Sequence, residues 1–95
     1  MKAVLAFYDK QVMRDGAIVE MKIWQLANPV RGSAYRLKYS LFYGFAGERL
    51  VGYDNEPGKG DHRHIEGKEE RYAFSTVEIL MADFLADVRR LRGES

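Results

Sequence analysis

Most of the chain alternates between apolar and polar side chains with the period of two that is typical of β-strands. Between the first two alternating runs lies Arg14-Asp15-Gly16, where glycine allows the tight turn of a β-hairpin. The third run has tyrosine or leucine at every second position. The pattern predicts an antiparallel meander of four to five strands within residues 2–74. The runs cover residues 4–12, 18–26, 35–43, 49–54 and 71–74.

From residue 75 onward the apolar period changes to that of an α-helix. Ser75 and Glu78 have the spacing of a capping box with Ser75 as the N-cap, and Gly93 is a suitable stop. The pattern predicts one helix over residues 75–92, packed on one face of the sheet. The expected fold is a single α+β domain, residues 1–95. The apolar stripe of the helix consists of Val77, Leu80, Met81, Phe84, Leu85, Val88 and Leu91.

The composition fits one globular domain of 95 residues. The chain has no cysteine, which excludes a disulfide framework and a thiolate metal site. No apolar run is long enough to cross a bilayer or to act as a signal peptide, so we expect a cytoplasmic protein without a membrane partner. The net charge of +1 does not by itself favour nucleic acid.

A single helix covers only one face of a sheet, so apolar side chains on the other face need another cover. Leu5, Phe7, Trp24 and Phe42 are the residues concerned. We therefore expect a homodimer.

The segment 54–66 concentrates the titratable chemistry of the chain and is predicted to be a loop mounted on a strand end. His62 and His64 are two residues apart, so in an extended segment they point to the same side and suit a general acid and base pair. Asp54 or Asp61 would orient an imidazole. The segment also has the parts of an exposed, concave anion site that binds phosphate, supplied by Gly58, Lys59, Gly60 and Arg63.

Two other interpretations of this segment stay open. Asp61, His62 and His64, joined by Asp54 or Glu56, would offer nitrogen and oxygen ligands to Zn²⁺. Lys59 and Arg63 oppose that interpretation because they place positive charge among the ligands. We therefore expect no metal and no cofactor. In the other interpretation the two histidines are exposed loop residues with local hydrogen bonds alone.

A basic and aromatic surface is predicted on the sheet itself. Trp24 shares a strand with Lys22, and the next strand carries Arg36 and Lys38, a combination that suits stacking of bases and contact with phosphates. Lysine and arginine are equally usual on any solvated sheet face.

Residues 51–64, which read VGYDNEPGKGDHRH, resemble the TumE family of small toxin-antitoxin proteins, as do Ser75-Thr76-Val77-Glu78 and the helix that follows. The resemblance covers nearly the whole chain. It implies a toxin that is neutralised by a helix-turn-helix antitoxin and that acts on RNA, by our expectation as a metal-independent endoribonuclease. The alternative is a non-catalytic nucleic-acid-binding or protein-interaction module. The family motif falls on Tyr53, Asp54, Asn55 and residues 58–64.

Overall fold

The computed structural model describes residues 3–28 and 36–94. In this part of the chain six strands form one antiparallel sheet, in which spatial order follows sequence order, and a helix comes last. The predicted α+β class is confirmed. The elements are β1 (Ala3–Val12), β2 (Ile18–Leu26), β3 (Leu37–Phe45), β4 (Glu48–Asp54), β5 (His62–Ile65), β6 (Lys68–Arg71) and α1 (Val77–Leu91).

The sheet has more strands than predicted because the expected loop contains one. Strand β5 occupies the second half of segment 54–66, and β6 lies before the fifth strand expected at residues 71–74. Glu66 and Gly67 join them with φ angles of 49° and 86°. Two successive positive φ angles are typical of a type I′ turn, which closes a two-residue hairpin. Tyr35, the first residue of the third predicted run, lies outside the described residues.

One face of the sheet, here called the helix face, packs against α1. Phe84 is fully buried, as predicted, and its ring meets the Tyr53 ring edge-on with centroids 5.9 Å apart. Leu85, which we expected to be equally buried, is only partly buried, since it lies about 100° further around the helix. The buried sheet residues are Val19, Met21, Ile23, Tyr39, Leu41, Tyr43, Val51 and Tyr53.

The helix spans residues 77–91 and not the predicted 75–92, and its N-cap lies one residue later than predicted. Thr76, not Ser75, is the N-cap, and its hydroxyl oxygen accepts a hydrogen bond from the Ile79 amide at 3.1 Å. At the other end Gly93 follows the last residues with a φ of 74°, the left-handed conformation of a helix stop. No helix in the described ranges is long and apolar enough to span a membrane.

The face of the sheet opposite the helix is here called the open face. By strand alternation and register it carries Trp24, paired in register with Lys38, and Ser40, paired in register with Asp54. His62 lies opposite Asp54, and His64 lies opposite Gly52. The open face therefore carries the two histidines and the predicted basic and aromatic residues together.

Candidate functional site

The formation of β5 divides the charged segment between the two faces of the sheet. In a strand, successive side chains point to opposite faces. His62 and His64 therefore lie on the open face, as the prediction of one shared side requires. Arg63, between them, points to the helix face. The prediction that one concave site contains all these residues is wrong, because Arg63 lies on the opposite face from the two histidines.

His62 is held between two oxygen atoms. Its Nδ1 lies 3.1 Å from the Gly60 carbonyl oxygen, and its Nε2 lies 2.6 Å from Asp54 Oδ1. The second pair is close but not aligned as a hydrogen bond, and these two enclosed atoms have no other hydrogen-bond partner among the described residues. The residue is only 4% exposed, so the expectation of an exposed loop histidine is wrong for His62.

His64 stacks edge-on against His62 and is the more accessible of the two. Their ring centroids are 5.1 Å apart with the ring planes at 80°, and 17% of the His64 side chain is exposed. Burial lowers the pKa of His64 below its ordinary value, and the nearby Arg49 guanidinium lowers it further. A lowered pKa keeps the His64 ring neutral at neutral pH, the form that accepts a proton.

Arg49 reaches the open face by crossing over Gly52. A Cβ atom at residue 52 would lie 2.6 Å from Arg49 Cδ, so a larger residue there would displace the Arg49 side chain from this position. The register of β4 places Gly52 directly opposite His64. The sequence thus supplies a cation beside His64 through a glycine on the neighbouring strand.

Glu69 completes the group, and reasoning from the sequence missed it. Its Oε2 lies 3.5 Å from His62 Nε2 and 3.6 Å from His64 Nε2. The same oxygen lies 3.4 Å from Lys59 Nζ. The signal that could have found Glu69 is the two-residue turn at 66–67, which puts Glu69 opposite His64 in register. We call Asp54, His62, His64 and Glu69 the histidine cluster.

Arg63 instead ties the helix to the sheet. Its Nη1 donates to the Tyr53 hydroxyl at 3.1 Å and to Asp87 Oδ2 at 3.4 Å, and its Nε lies 3.1 Å from Glu70 Oε1. The Tyr53 hydroxyl donates to Asp87 as well. Burial raises the pKa of Tyr53, and its bond to the Asp87 carboxylate raises it further. These contacts give Arg63 a structural position on the helix face.

Asp61 also lies away from the histidine cluster. Its Oδ2 accepts a hydrogen bond of 2.7 Å from the hydroxyl of Tyr39, a residue of the helix face. The buried Asn55 fixes the same loop, since its side chain accepts from the Tyr39 amide at 2.9 Å and donates to the Leu37 carbonyl oxygen at 2.7 Å. Asp61 and Asn55 therefore anchor the loop, whereas Asp54 belongs to the cluster.

A cleft of about 490 Å³ lies between the 58–61 loop and residues 71–74, and Lys59, which lines it, pairs with Glu69 of the cluster. Lys59 and Arg71 supply its positive charge. The backbone amides of Lys59 and Gly60 add no donors for an anion, because both donate to the carbonyl oxygen of Glu56, at 3.2 and 3.3 Å. The prediction that backbone amides bind an anion is therefore wrong for these two residues.

A family model described as Toxin TumE matches residues 3–92 of the chain. The chain belongs to the TumE toxin family. The resemblance expected from residues 51–64 and the final helix is thereby confirmed over nearly the whole length, and the family supports a toxin role with an antitoxin as partner. No curated protein and no solved structure matches the chain.

The open face of the toxin continues beyond the histidine cluster toward β2. Trp24 and Lys22 are partly buried there, and Lys38, the register partner of Trp24, lies beside them. Arg36, the fourth predicted basic or aromatic residue, is exposed just before β3, and its carbonyl oxygen accepts from the Leu26 amide at 2.9 Å. The sheet thus brings a half-buried tryptophan and lysines to the same face as the histidines.

Proposed function

We propose that the toxin is an endoribonuclease that cleaves RNA without a metal ion. The observation that carries the proposal is the packing of His64 against the buried His62, whose ring lies beside Asp54 on the open face. Cleavage by the RNA's own 2′-hydroxyl needs a base, a proton for the leaving oxygen and a positive charge for the phosphate. The cluster and its surroundings offer one group for each task.

In the proposed reaction His64 is the base. Its neutral ring takes the proton of the 2′-hydroxyl while that oxygen attacks the adjacent phosphorus. The bond from phosphorus to the 5′ oxygen breaks, and the 5′ oxygen receives a proton from the Lys59 ammonium, whose side chain is 55% exposed. The products are one RNA ending in a 2′,3′-cyclic phosphate and one beginning with a 5′-hydroxyl.

His62 is a positioning residue in this proposal, because its burial keeps it from the substrate. Its Nδ1 lies beside the Gly60 carbonyl oxygen, and its Nε2 faces the Asp54 carboxylate. That arrangement fixes the ring against which His64 packs. Glu69, which lies near both Nε2 atoms, holds the Lys59 ammonium at the edge of the cluster.

The substrate is proposed to lie across the open face. Trp24 would stack on a base, Lys22 and Lys38 would contact phosphates, and Arg71 with Lys59 would hold the scissile phosphate at the adjoining cleft. Arg36 extends the same positive surface.

The basic and aromatic surface also favours a second function, a non-catalytic RNA-binding module. Such a module needs Trp24, Lys22 and Lys38 but no proton transfer at His64. Its affinity for RNA would fall steeply with salt and would survive loss of the histidine.

The partner and compartment of the toxin follow from the same proposal. We propose that the antitoxin is a helix-turn-helix protein and that both act in the cytoplasm, where RNA is the target.

The test compares RNA cleavage by the wild-type toxin, His64→Ala and Arg89→Ala, each purified and treated with a chelator. Arg89 is exposed on the helix, away from the open face, and serves as the control for folding and purity. We expect His64→Ala to lower the cleavage rate at least about a hundredfold, the typical contribution of a general base, and Arg89→Ala to leave it unchanged. RNA that is bound with equal affinity by wild type and His64→Ala, and cleaved by neither, supports the binding module.

A further inference from the structure

We propose that Asp54, His62 and His64 form a binding site for one divalent transition-metal ion such as Zn²⁺. We further propose that the ion switches the toxin off, a part that rests on the proposed function, because it takes the His64 nitrogen needed as the base. Each of the three residues offers one ligand atom, and these atoms lie within 4.8 Å of one another.

The ligands stand on two paired strands, which holds them at fixed spacing. His62 and His64 alternate on β5, and Asp54 ends β4 directly opposite His62. Zn²⁺ binds histidine nitrogen and carboxylate oxygen at about 2.0–2.2 Å, so neighbouring ligand atoms of a tetrahedral site are about 3.4 Å apart. The 2.6 Å between Asp54 Oδ1 and His62 Nε2 has to lengthen and His64 has to approach, by about 1 Å each.

Two enclosed polar atoms already point to a missing partner. His62 Nε2 and Asp54 Oδ1 form no aligned hydrogen bond among the described residues, and 95% of the His62 side chain is buried, since 5% is exposed. Buried polar groups without a hydrogen bond are costly, and a cation between the two atoms would satisfy both.

The other nitrogen of His62 has the partner that metal-bound histidines usually have. Nδ1 lies 3.1 Å from the Gly60 carbonyl oxygen, so a proton on Nδ1 leaves the Nε2 lone pair directed into the cluster.

The charges around the cluster oppose a cation less than the sequence suggested. Arg63 is on the other face, with ion pairs to Glu70 and Asp87. Lys59 is paired with Glu69, whose carboxylate also faces both histidines and is the natural fourth ligand. Arg49 near His64 and Arg71 opposite His62 in register remain as cations, set against the carboxylates of Asp54 and Glu69.

The test is calorimetric titration of the chelator-treated, desalted full chain with Zn²⁺. Variants Asp54→Asn and His64→Gln remove one ligand each, and Asp61→Asn is the matched control because Asp61 was a ligand expected from the sequence but contacts Tyr39 instead. We expect one ion per wild-type chain, an affinity at least about tenfold weaker in each ligand variant, and no change in Asp61→Asn. Thermal unfolding of each variant confirms that it is folded.

A second probe, Co²⁺, reports the ligand geometry by its visible absorption. An intense band that is lost in His64→Gln supports tetrahedral coordination by the cluster. Absence of stoichiometric Zn²⁺ binding, or binding that survives in both ligand variants, overturns the site.

The regulatory part is tested separately in the RNA cleavage assay. Cleavage should fall in proportion to the fraction of chains that hold Zn²⁺, and unchanged cleavage at saturation overturns the switch. If the metal-free toxin cleaves no RNA, the proposed function fails, whereas the calorimetric result still decides whether the metal site exists.

Discussion

Next to burial, the Arg49 guanidinium has the largest effect on the pKa of His64, and the Arg49 side chain lies over Gly52, opposite the histidine. The cation repels the imidazolium and therefore lowers the pKa of His64 in addition to the effect of burial. We predict that Arg49→Gln raises the pKa of His64, measured by NMR titration of the ring protons in chelator-treated protein.

The same change in pKa should shift the pH dependence of RNA cleavage. A base with a higher pKa becomes neutral only at higher pH, so the rise of RNA cleavage with pH should move upward in Arg49→Gln. Arg89→Gln, which removes a cation from the helix, is the control. A pKa of His64 that stays constant or falls in Arg49→Gln would show that Arg49 does not set it.

At the residue scale, the sequence predicted which side chains lie together only where their spacing along a strand determines the face they share. The shared side of His62 and His64 followed from their spacing of two. Arg63 and Asp61 were grouped with them because the segment looked like a loop, in which direction is not restricted. Once β5 forms, alternation places Arg63 on the helix face, where it donates to Tyr53, and Asp61, which precedes the strand, accepts from Tyr39.

At the scale of single elements, the start of the helix offers a direct test. We predict that Thr76→Ala lowers the free energy of unfolding by about 1 kcal/mol, because the Ile79 amide loses its acceptor. Ser75→Ala, a change at the neighbouring exposed residue, should cost less than about 0.5 kcal/mol. Urea denaturation of both variants measures the difference, and a larger loss for Ser75→Ala would move the N-cap back to Ser75.

Sequence patterns predicted the long elements well and the short ones poorly. Strands β2 and β3 and the helix are long enough for their apolar pattern to repeat several times, which identifies them. Tertiary contacts did not change the type of these elements. Strands β5 and β6 have four residues each and carry mostly charged side chains. They are held by register and by the turn at Glu66 and Gly67, neither of which a hydrophobic pattern records.

At the scale of the whole molecule, the two edges of the sheet differ in chemistry. The β6 edge carries charged, exposed side chains, which discourage pairing with another strand. The β1 edge is ten residues long and exposes apolar side chains, including Leu5 at 53%. We propose that the expected homodimer forms by pairing of two β1 strands, since an exposed apolar edge favours such pairing.

The mass in solution tests this arrangement. We predict that light scattering gives twice the 10.9 kDa of one chain for the wild type and the mass of one chain for Leu5→Lys, which places like charges on both copies. Ile79→Lys makes the same change at an apolar helix residue with similar exposure, 48%, and should leave the dimer intact. A wild-type mass of one chain at high micromolar concentration contradicts the proposal.

The central claim is that His64 uses the RNA's own hydroxyl as the attacking group. The most direct measurement is the chemistry of the new 3′ ends when chelator-treated wild-type toxin is incubated with RNA. Our account predicts a 2′,3′-cyclic phosphate, absent with His64→Ala. Ends that carry a 3′-hydroxyl, or cleavage that appears only when a metal ion is restored, would contradict it.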